Sequence, residues 1–246
     1  KKRIEHEIAQ KNQELEQLLE RLRELDELKN QFIANVSHEL RTPLTLILGP
    51  AERMLSAAET SLTVGQRRDL EVIQRNARLL LKRVNDILDI SKLAAARLSI
   101  DYGRTDIAHT VRLLVGYFEA LAKQRSILVV LESPAQLIVE VDAEKLERII
   151  LNIVGNAFKF VPDHGQINIR LQAGEHRFRL EVQDNGPGVS LKDQDRIFER
   201  FSQGEGGATR LFEGTGLGLA IAKEFVGFHG GAIGLADAPE GTGALF

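Results

Sequence analysis

The stretch that decides the fold is FIANVSHELRTPL, which runs from Phe32 to Leu44. It places His38 directly before Glu39 on a predicted helix. A neutral imidazole is a nucleophile near pH 7, and a neighbouring carboxylate can take the proton from one ring nitrogen while the other attacks phosphorus. His38 and Glu39 are therefore candidate catalytic residues, although a histidine–glutamate pair taken alone is more often a solvated surface feature.

Upstream of this stretch, residues 1–31 carry apolar side chains at alternating steps of four and three. The polar residue Lys11 interrupts a seam that comprises Ile4, Ile8, Leu15, Leu18, Leu22, Leu25 and Phe32. This is the 3.5-residue repeat of a coiled coil, and so narrow a stripe requires a partner helix. We expect a parallel homodimer; the alternative is a solvated surface helix that packs on another segment. The same phase continues through Val36 and points His38 away from the partner helix.

Downstream, the helix is expected to continue past Pro43 with a kink, because proline removes a backbone donor. Residues 58–66 form the predicted turn, and a second amphipathic helix follows, with apolar residues at helical spacing from Leu70 to Leu93. Two such antiparallel hairpins, one from each chain, make a dimeric four-helix bundle. A domain boundary is predicted within residues 94–104.

The pattern changes after this boundary. Helices are predicted over residues 106–123, 142–160 and 216–229, and strands over residues 127–131, 137–141, 166–172, 177–183 and 231–236. Strands that alternate with helices, with one pair joined as a hairpin, indicate an α+β two-layer sandwich. The predicted organisation is a coiled coil over residues 1–31, an all-α hairpin over 32–98 and an α+β domain over 99–246.

The predicted helix over residues 142–160 carries NIVGNAFKF, from Asn152 to Phe160. Asn152 and Asn156 lie four residues apart and share a helical face, with Lys159 within one turn. Two amides and an ammonium on one face suit Mg²⁺ and phosphate oxygens. The alternative is an amphipathic helix whose polar residues only face solvent.

Two glycine motifs follow. Asp184-Asn-Gly186-Pro-Gly188 ends a predicted strand, and Gly214-Thr-Gly216-Leu-Gly218 opens a predicted helix. Glycines let the backbone approach a ligand closely, a buried aspartate can accept a hydrogen bond from an adenine amino group, and N–H groups at a helix start bind phosphate. The first motif alone is also an ordinary turn. The second has neither the Gly-Lys-Ser/Thr of a Walker A loop nor the spacing of a dinucleotide-binding loop.

An aromatic motif, Phe198-Glu-Arg200-Phe201, lies between the two glycine motifs. Its aromatic side chains are expected to pack the hinge of a mobile loop. The polar, glycine-rich residues 202–213 that follow are typical of a lid that closes over a nucleotide. Arg200 and Arg210 are candidate phosphate contacts; a surface salt bridge is the alternative for Arg200.

These five motifs, in this order between residues 32 and 219, resemble the H-box, N-box, G1 box, F-box and G2 box of bacterial sensor histidine kinases. The resemblance implies a dimerisation and histidine phosphotransfer domain of the HExxT type, followed by a catalytic domain with the GHKL, or Bergerat, ATP-binding fold. It implies that His38 is phosphorylated, that Glu39 assists, and that Thr42 supports phosphatase action on the partner regulator. It also implies ATP as cofactor with Mg²⁺ held by Asn156, and a nucleotide site formed by Asn152, Asn156, Lys159, Phe160, Asp184, Gly186, Gly188, Arg200, Arg210, Gly214, Thr215, Gly216, Leu217 and Gly218.

The function implied by this resemblance is ATP-dependent autophosphorylation of His38 and phosphoryl transfer to an aspartate of a response-regulator receiver domain. Two other classes are open at this point. DNA gyrase, mismatch-repair and heat-shock chaperone ATPases share the ATP-binding fold, but they lack an H-box on a preceding helical hairpin. A non-catalytic signalling module would carry a degenerate ATP site, which the intact glycine motifs argue against.

The composition of the chain limits the classes of partner and the type of site that we expect. The 246 residues carry a net charge of −3, without the basic footprint usual for nucleic-acid binding. The sequence contains no cysteine, which excludes disulfides and thiolate metal sites and suits a reducing cytosol. No apolar run approaches the roughly 20 residues that span a bilayer. We therefore expect a cytoplasmic fragment, with any anchor in the bacterial inner membrane supplied by segments upstream of Lys1.

Overall fold

The computed structural model describes residues 2–56, 62–94, 99–175, 177–202, 216–236 and 243–246. The chain divides into two compact units, Lys1–Leu98 and Ser99–Phe246. The first unit contains two long helices, and the second contains the strands and the remaining helices. Each unit has a hydrophobic core of its own.

The first unit is a hairpin of α1 (Lys2–Ser56) and α2 (Val64–Ala94). Helix α1 continues through the predicted boundary at residue 31 and through both Pro43 and Pro50. Its second half packs on α2 through small and branched side chains. The buried contact consists of Leu44, Leu48, Ala77 and Val84, with Leu81 packed against it.

Two polar contacts show the relative direction of the two helices. Arg41 Nη2 donates to Asn85 Oδ1 at 2.8 Å, and Arg78 Nη2 pairs with Glu52 Oε1 at 2.6 Å. Residue numbers rise along α1 as they fall along α2, so the helices run antiparallel, as the sequence predicted.

The second helix starts earlier than predicted. Within the predicted turn over residues 58–66, α2 already begins at Val64. Gln66 N donates to Thr63 Oγ1 at 3.2 Å, and Thr63 N donates to Gln66 Oε1 at 2.9 Å. This reciprocal pair is a capping box, which satisfies backbone donors that the first turn of a helix leaves free. The sequence signal for it, a threonine three residues before a glutamine, was missed.

The N-terminal half of α1 exposes its apolar seam in the single chain. The described seam side chains are each more than half exposed: Leu15, Leu18, Leu22, Leu25 and Phe32. A contiguous apolar stripe on a lone helix is typical of a protein–protein interaction surface. No helix in the described part of the chain is long and apolar enough to cross a membrane.

The second unit carries five strands and five helices among its described residues. The strands are β1 (Gly103–Asp106), β2 (Leu128–Glu132), β3 (Ile138–Val141), β4 (Gln166–Ala173) and β5 (Phe178–Asp184). The helices are α3 (Ile107–Gly116), α4 (Glu119–Arg125), α5 (Ala143–Phe160), α6 (Leu191–Gln194) and α7 (Gly218–Phe228).

The strands form two sheets. In the larger one, β4 is central, with β2 parallel on one side and β5 antiparallel on the other. In the smaller one, β1 pairs antiparallel with β3. The inward face of β4 alternates strictly, since Ile167, Ile169 and Leu171 are all buried. Period-two burial of this kind is expected where a sheet covers a core on one face only.

Helices α3 and α7 each pack on α5, and α5 also lies against β5. Helix α5 buries a broad apolar face that includes Ile150, Ile153 and Val154. The second unit is thus a layer of helices on a sheet, which confirms the predicted α+β class.

Three local predictions for this unit were wrong. The helix predicted over residues 106–123 is two helices, because the chain breaks after Gly116 and Phe118 turns inward to stack on Phe158, with ring centroids 4.7 Å apart. Strand β1 was not predicted, since four residues with no apolar alternation give no signal. The strand predicted over residues 231–236 does not form; the described residues there make only an isolated bridge, between Ala236 and Leu245.

Candidate active site

Helix α5 forms the floor of the candidate nucleotide site. Asp142 caps its N-terminus by accepting a hydrogen bond from Lys145 N at 3.2 Å. With the apolar face turned to the core, Asn152 and Asn156 remain half-buried, four residues apart on another side of the helix. In the last turn, Lys159 Nζ lies 4.8 Å from the centroid of the Phe160 ring. The N-box residues are thus presented on a helix that the core holds in place.

The start of α7 packs directly on this helix. A Cβ placed on Gly218 would lie 3.1 Å from Asn152 Oδ1, so the two motifs meet at a position that favours glycine. Leu217, the N-cap residue, is buried, and its side chain makes no capping hydrogen bond. The N–H groups in the first turn of a helix have no partner within the helix and are suited to an anionic ligand.

Asp184 ends β5 and is 4% exposed. Its Oδ1 accepts a hydrogen bond from Gly186 N at 2.8 Å. Burial raises the pKa of the Asp184 carboxyl, and hydrogen bonds from the backbone of Gly186 and Ala244 oppose this rise. A buried carboxyl held in one orientation by its own turn is suited to recognise a single donor group.

Glycine is required where the G1 turn meets its neighbours. A Cβ on Gly186 would lie 2.8 Å from Phe160 O, so this turn touches the last turn of α5 backbone to backbone. Gly243 has φ +93°, and its Cβ would lie 1.7 Å from Asp184 O. Gly188 has φ +72°, and its Cβ would lie 2.7 Å from Gly243 O. Substitution at these positions would push the turn away from α5.

The aromatic motif meets the second glycine motif. Phe201 N donates to Gly216 O at 3.0 Å, and Gly216 has φ +67°. Phe198 packs edge-on against Phe246, with ring centroids 6.3 Å apart. Phe201 has φ 63° and is 69% exposed. Phe198 is therefore the packed residue of this motif, while Phe201 faces solvent.

Arg200 lies against α7, where Arg200 Nη2 is 3.3 Å from Glu224 Oε1. This is the surface salt bridge that the sequence left as the alternative, and contact of Arg200 with phosphate stays a prediction. Arg210, Gly214 and Thr215 lie outside the described residues, as does most of the predicted lid.

The H-box lies in the second half of α1. The His38 backbone is helical, but its side chain is outside the described residues. Ser37 is buried, whereas Glu39 and Thr42 are exposed. The hydrogen bond from Arg41 to Asn85 ties this part of the motif to α2.

Comparison with known families decides what this arrangement is. Residues 28–96 match the model of the His Kinase A (phospho-acceptor) domain. Residues 141–246 match the model described as histidine kinase-, DNA gyrase B- and HSP90-like ATPase. The chain belongs to the sensor histidine kinases. The match over the first unit separates this histidine kinase from the gyrase and chaperone ATPases, whose fold its second unit shares.

Relatives of this histidine kinase match it along almost the whole chain. Sensor histidine kinase TmoS of Ectopseudomonas mendocina is 49% identical over 100% of this chain and 25% of its own length. Hybrid signal transduction histidine kinase D of Dictyostelium discoideum is 44% identical over 98% of this chain and 16% of its own length. The kinase core therefore spans about a quarter or less of these two relatives.

A solved structure agrees with the fold. Full-length ShkA in complex with AMPPNP is 33% identical, with a TM-score of 0.68, over 88% of this chain and 44% of that protein. The ATP-binding assignment of the second unit rests on its match to the ATPase family model over residues 141–246.

The residues present fit ATP with a divalent cation. The described part of the kinase holds no cluster of three or more His, Asp and Glu side chains that could bind a metal. Asn156 offers an amide oxygen on α5, a ligand type that hard divalent cations accept. The Lys159 ammonium and the N–H groups at the start of α7 are donors suited to phosphate.

Two supporting residues of this kinase have no role assigned from the sequence motifs. Asn185 Oδ1 accepts a hydrogen bond from Gln166 N at 2.8 Å, and Asn185 N donates to Gln166 O at 3.2 Å. These hydrogen bonds hold the turn of the G1 box, residues 184–188, against the start of β4. An asparagine directly after a strand is a recognised turn former, which was the available signal. The second residue, Arg125, had no sequence signal, because its partners lie more than 30 positions away.

Proposed function

We propose that this chain is the catalytic core of a sensor histidine kinase, which transfers the γ-phosphoryl group of ATP to His38. The observation that carries the proposal is the close contact of α5 with both glycine motifs. Asn152 meets Gly218, and Phe160 meets Gly186. A nucleotide-binding second unit follows a phospho-acceptor first unit in one chain, which is the arrangement that autophosphorylation requires.

Each predicted site residue has a chemical role in this proposal. The Asp184 carboxylate accepts a hydrogen bond from the adenine amino group, and the Asn156 amide oxygen binds Mg²⁺. Lys159 and the N–H groups at the start of α7 offer positive charge to the phosphates. Mg²⁺, when bound, neutralises charge on the phosphate oxygens. Catalysis by positioning and charge neutralisation is the usual basis of phosphoryl transfer.

The transfer step uses residues of α1. One ring nitrogen of the His38 imidazole attacks the γ-phosphorus, so that a P–N bond forms and the bond between the γ-phosphorus and the β–γ bridging oxygen breaks. Glu39 takes the proton from the other ring nitrogen, and ADP leaves. The exposed position of Glu39 and of Thr42 also suits attack of water on a phosphorylated partner, the phosphatase activity that the H-box implies.

The partners follow from the same surfaces. We infer a homodimer formed by the exposed seam of α1 and by the helical hairpin. The phosphoryl group of His38 passes to an aspartate of a response-regulator receiver domain. Membrane attachment, where it exists, belongs to segments outside this chain.

Incubation with γ-labelled ATP and Mg²⁺ tests the proposal. Wild-type protein should acquire acid-labile, base-stable label, and His38→Ala should acquire none. His109→Ala is the matched control, because His109 is an exposed histidine on α3, and it should label like the wild type. Label that persists in His38→Ala would refute the proposal. Steady phosphate release without labelled protein would instead indicate an ATPase.

A further inference from the structure

Arg125, at the end of α4, clamps the C-terminus of the N-box helix. Its Nη1 donates to Phe158 O at 2.6 Å and its Nη2 donates to Val161 O at 2.7 Å. Its Nε donates to Asp163 Oδ1 at 2.7 Å. The Arg125 side chain is 22% exposed, whereas that of Asp163 is 68% exposed. The guanidinium is therefore mostly enclosed, and its two enclosed partners are backbone carbonyls.

These carbonyls are ones that the helix cannot satisfy itself. The last four C=O groups of an α-helix have no partner within it. Val161 N closes the final helical bond to Ala157 O at 2.9 Å, which leaves Phe158 O as the next carbonyl. A planar guanidinium can bond two carbonyls at once, and its charge complements the negative end of the helix dipole. The Arg125 backbone also takes part, since Arg125 O accepts a hydrogen bond from His164 N at 3.0 Å.

The clamped turn is the one that faces the nucleotide site. It carries Lys159 and Phe160, and Phe160 O lies 2.8 Å from the position of a Cβ on Gly186. Since Gly186 N in turn holds the Asp184 carboxylate, a shift of this turn would move both Lys159 and the G1 turn.

We propose that Arg125 is a positioning residue for the nucleotide site. It acts through the carbonyls of Phe158 and Val161, and it holds the last turn of α5 at the distance from Asp184 that the bound nucleotide requires. This inference rests on the proposed function, because it assigns Arg125 to the same site. It adds a residue that belongs to none of the five sequence motifs.

A second arginine of the same unit provides the control. Arg170 Nε donates to Glu132 Oε2 at 2.7 Å, and Arg170 Nη1 lies 3.8 Å from Glu181 Oε2. These partners are carboxylates on the sheet, and Arg170 is about half exposed. Arg170→Gln therefore removes an arginine and its ion pairs without freeing a helix carbonyl.

The experiment compares Arg125→Gln, Arg125→Lys and Arg170→Gln with the wild type. Three quantities are measured: the Kd of a non-hydrolysable ATP analogue by calorimetry, the KM for ATP, and the maximal rate of autophosphorylation. For Arg125→Gln we expect Kd and KM to rise about tenfold, the usual scale of coupling between a support and a site, with a maximal rate within about twofold of the wild type. Arg125→Lys should show a smaller rise in Kd and KM, because the lysine ammonium keeps the positive charge. A rise should remain, because the ammonium cannot bond both carbonyls as the planar guanidinium does. Arg170→Gln should change neither constant.

A purely structural role predicts a different pattern. If Arg125 only stabilises the fold, Arg125→Gln lowers the fraction of active protein and hence the labelled amplitude, while Kd and KM stay at the wild-type values. That result would overturn the inference. Should Arg125→Gln not fold, Arg125→Lys decides by the same criterion. Analogue binding is measured without catalysis, so a wild type that binds the analogue but never labels would refute the proposed function and leave the test of Arg125 intact.

Discussion

Asp184 combines a stability cost with a binding role. Burial raises the pKa of its carboxyl. A carboxyl whose folded pKa lies above its unfolded value contributes stability below the unfolded pKa and loses it as the pH rises through the folded pKa. Ionisation of Asp184 therefore lowers the free energy of unfolding, which is typical of residues retained for function rather than stability.

The substitution Asp184→Asn separates the two effects. We expect the affinity for a non-hydrolysable ATP analogue to fall at least about tenfold, because a hydrogen bond to a charged group contributes about 1.5–3 kcal/mol. The free energy of unfolding at pH 7 should be equal to that of the wild type or higher, and the difference should shrink as the pH falls towards the unfolded pKa of aspartate, about 4. Calorimetric titration and urea unfolding measure the two quantities.

Asp195→Asn is the control for this prediction, since Asp195 is an exposed carboxylate in the same unit. It should leave the affinity unchanged. A variant Asp184→Asn that unfolds more easily than the wild type at pH 7, but not at low pH, would contradict the assigned sign of the carboxyl's contribution.

At the scale of elements, α1 is the helix whose apolar pattern predicts a partner chain. Its seam leucines are more than half exposed in the single chain, while Leu44 and Leu48 in its second half are buried against α2. One continuous helix thus joins a seam that needs another chain to a contact made within the hairpin. The division of this unit at residue 31 stays a prediction, because the helix itself shows no break there.

The double substitution Leu15→Gln with Leu22→Gln tests the seam. Burial of a leucine side chain contributes roughly 1.5–3 kcal/mol, so loss of two from each chain should raise the dimer dissociation constant by at least about a hundredfold. Sedimentation velocity should then show a shift from dimer towards monomer at micromolar concentration. The matched control, Glu16→Gln with Glu20→Gln, alters exposed positions outside the seam and should sediment like the wild type. An unchanged sedimentation coefficient in the leucine variant would disprove a coiled-coil dimer.

At the scale of the whole molecule, nucleotide binding and phospho-acceptance reside in separate compact units. The second unit has its own fully buried core, which includes Ile150, Ile167 and Phe225. We expect a fragment of residues 99–246 to fold alone and to bind an ATP analogue within about twofold of the affinity of the full chain.

Because His38 is in the other unit, that fragment should acquire no label from γ-labelled ATP. Circular dichroism checks the fold, and calorimetry measures the affinity. A fragment that is unfolded, or that acquires label, would contradict the assignment of nucleotide binding to the second unit and of the phosphorylated histidine to the first. The first unit alone, residues 1–98, is the complementary control and should bind no nucleotide.

Much of this fold could be predicted from the sequence, and particular elements show why. Helix α5 was predicted within a residue of its bounds, because a capped helix with one broad apolar face has a strong 3.6-residue period. Strands β4 and β5 alternate with period two, and their hairpin was predicted for the same reason. The break between α3 and α4 was not, since it depends on Phe118 reaching Phe158, a residue 40 positions further along the chain.

The sequence by itself determined the identity of the kinase, because its motifs consist of residues whose local chemistry is recognisable wherever they stand. Only the tertiary structure decided how those motifs support one another. It placed Asn152 against Gly218 and Phe160 against Gly186, it paired Arg200 with Glu224, and it brought Arg125 to the end of α5. The physical reason is the distance along the chain between interacting residues. Helical and strand periods depend on residues a few positions apart. The guanidinium of Arg125 bonds carbonyls more than 30 positions away, which come within reach only when the chain has packed.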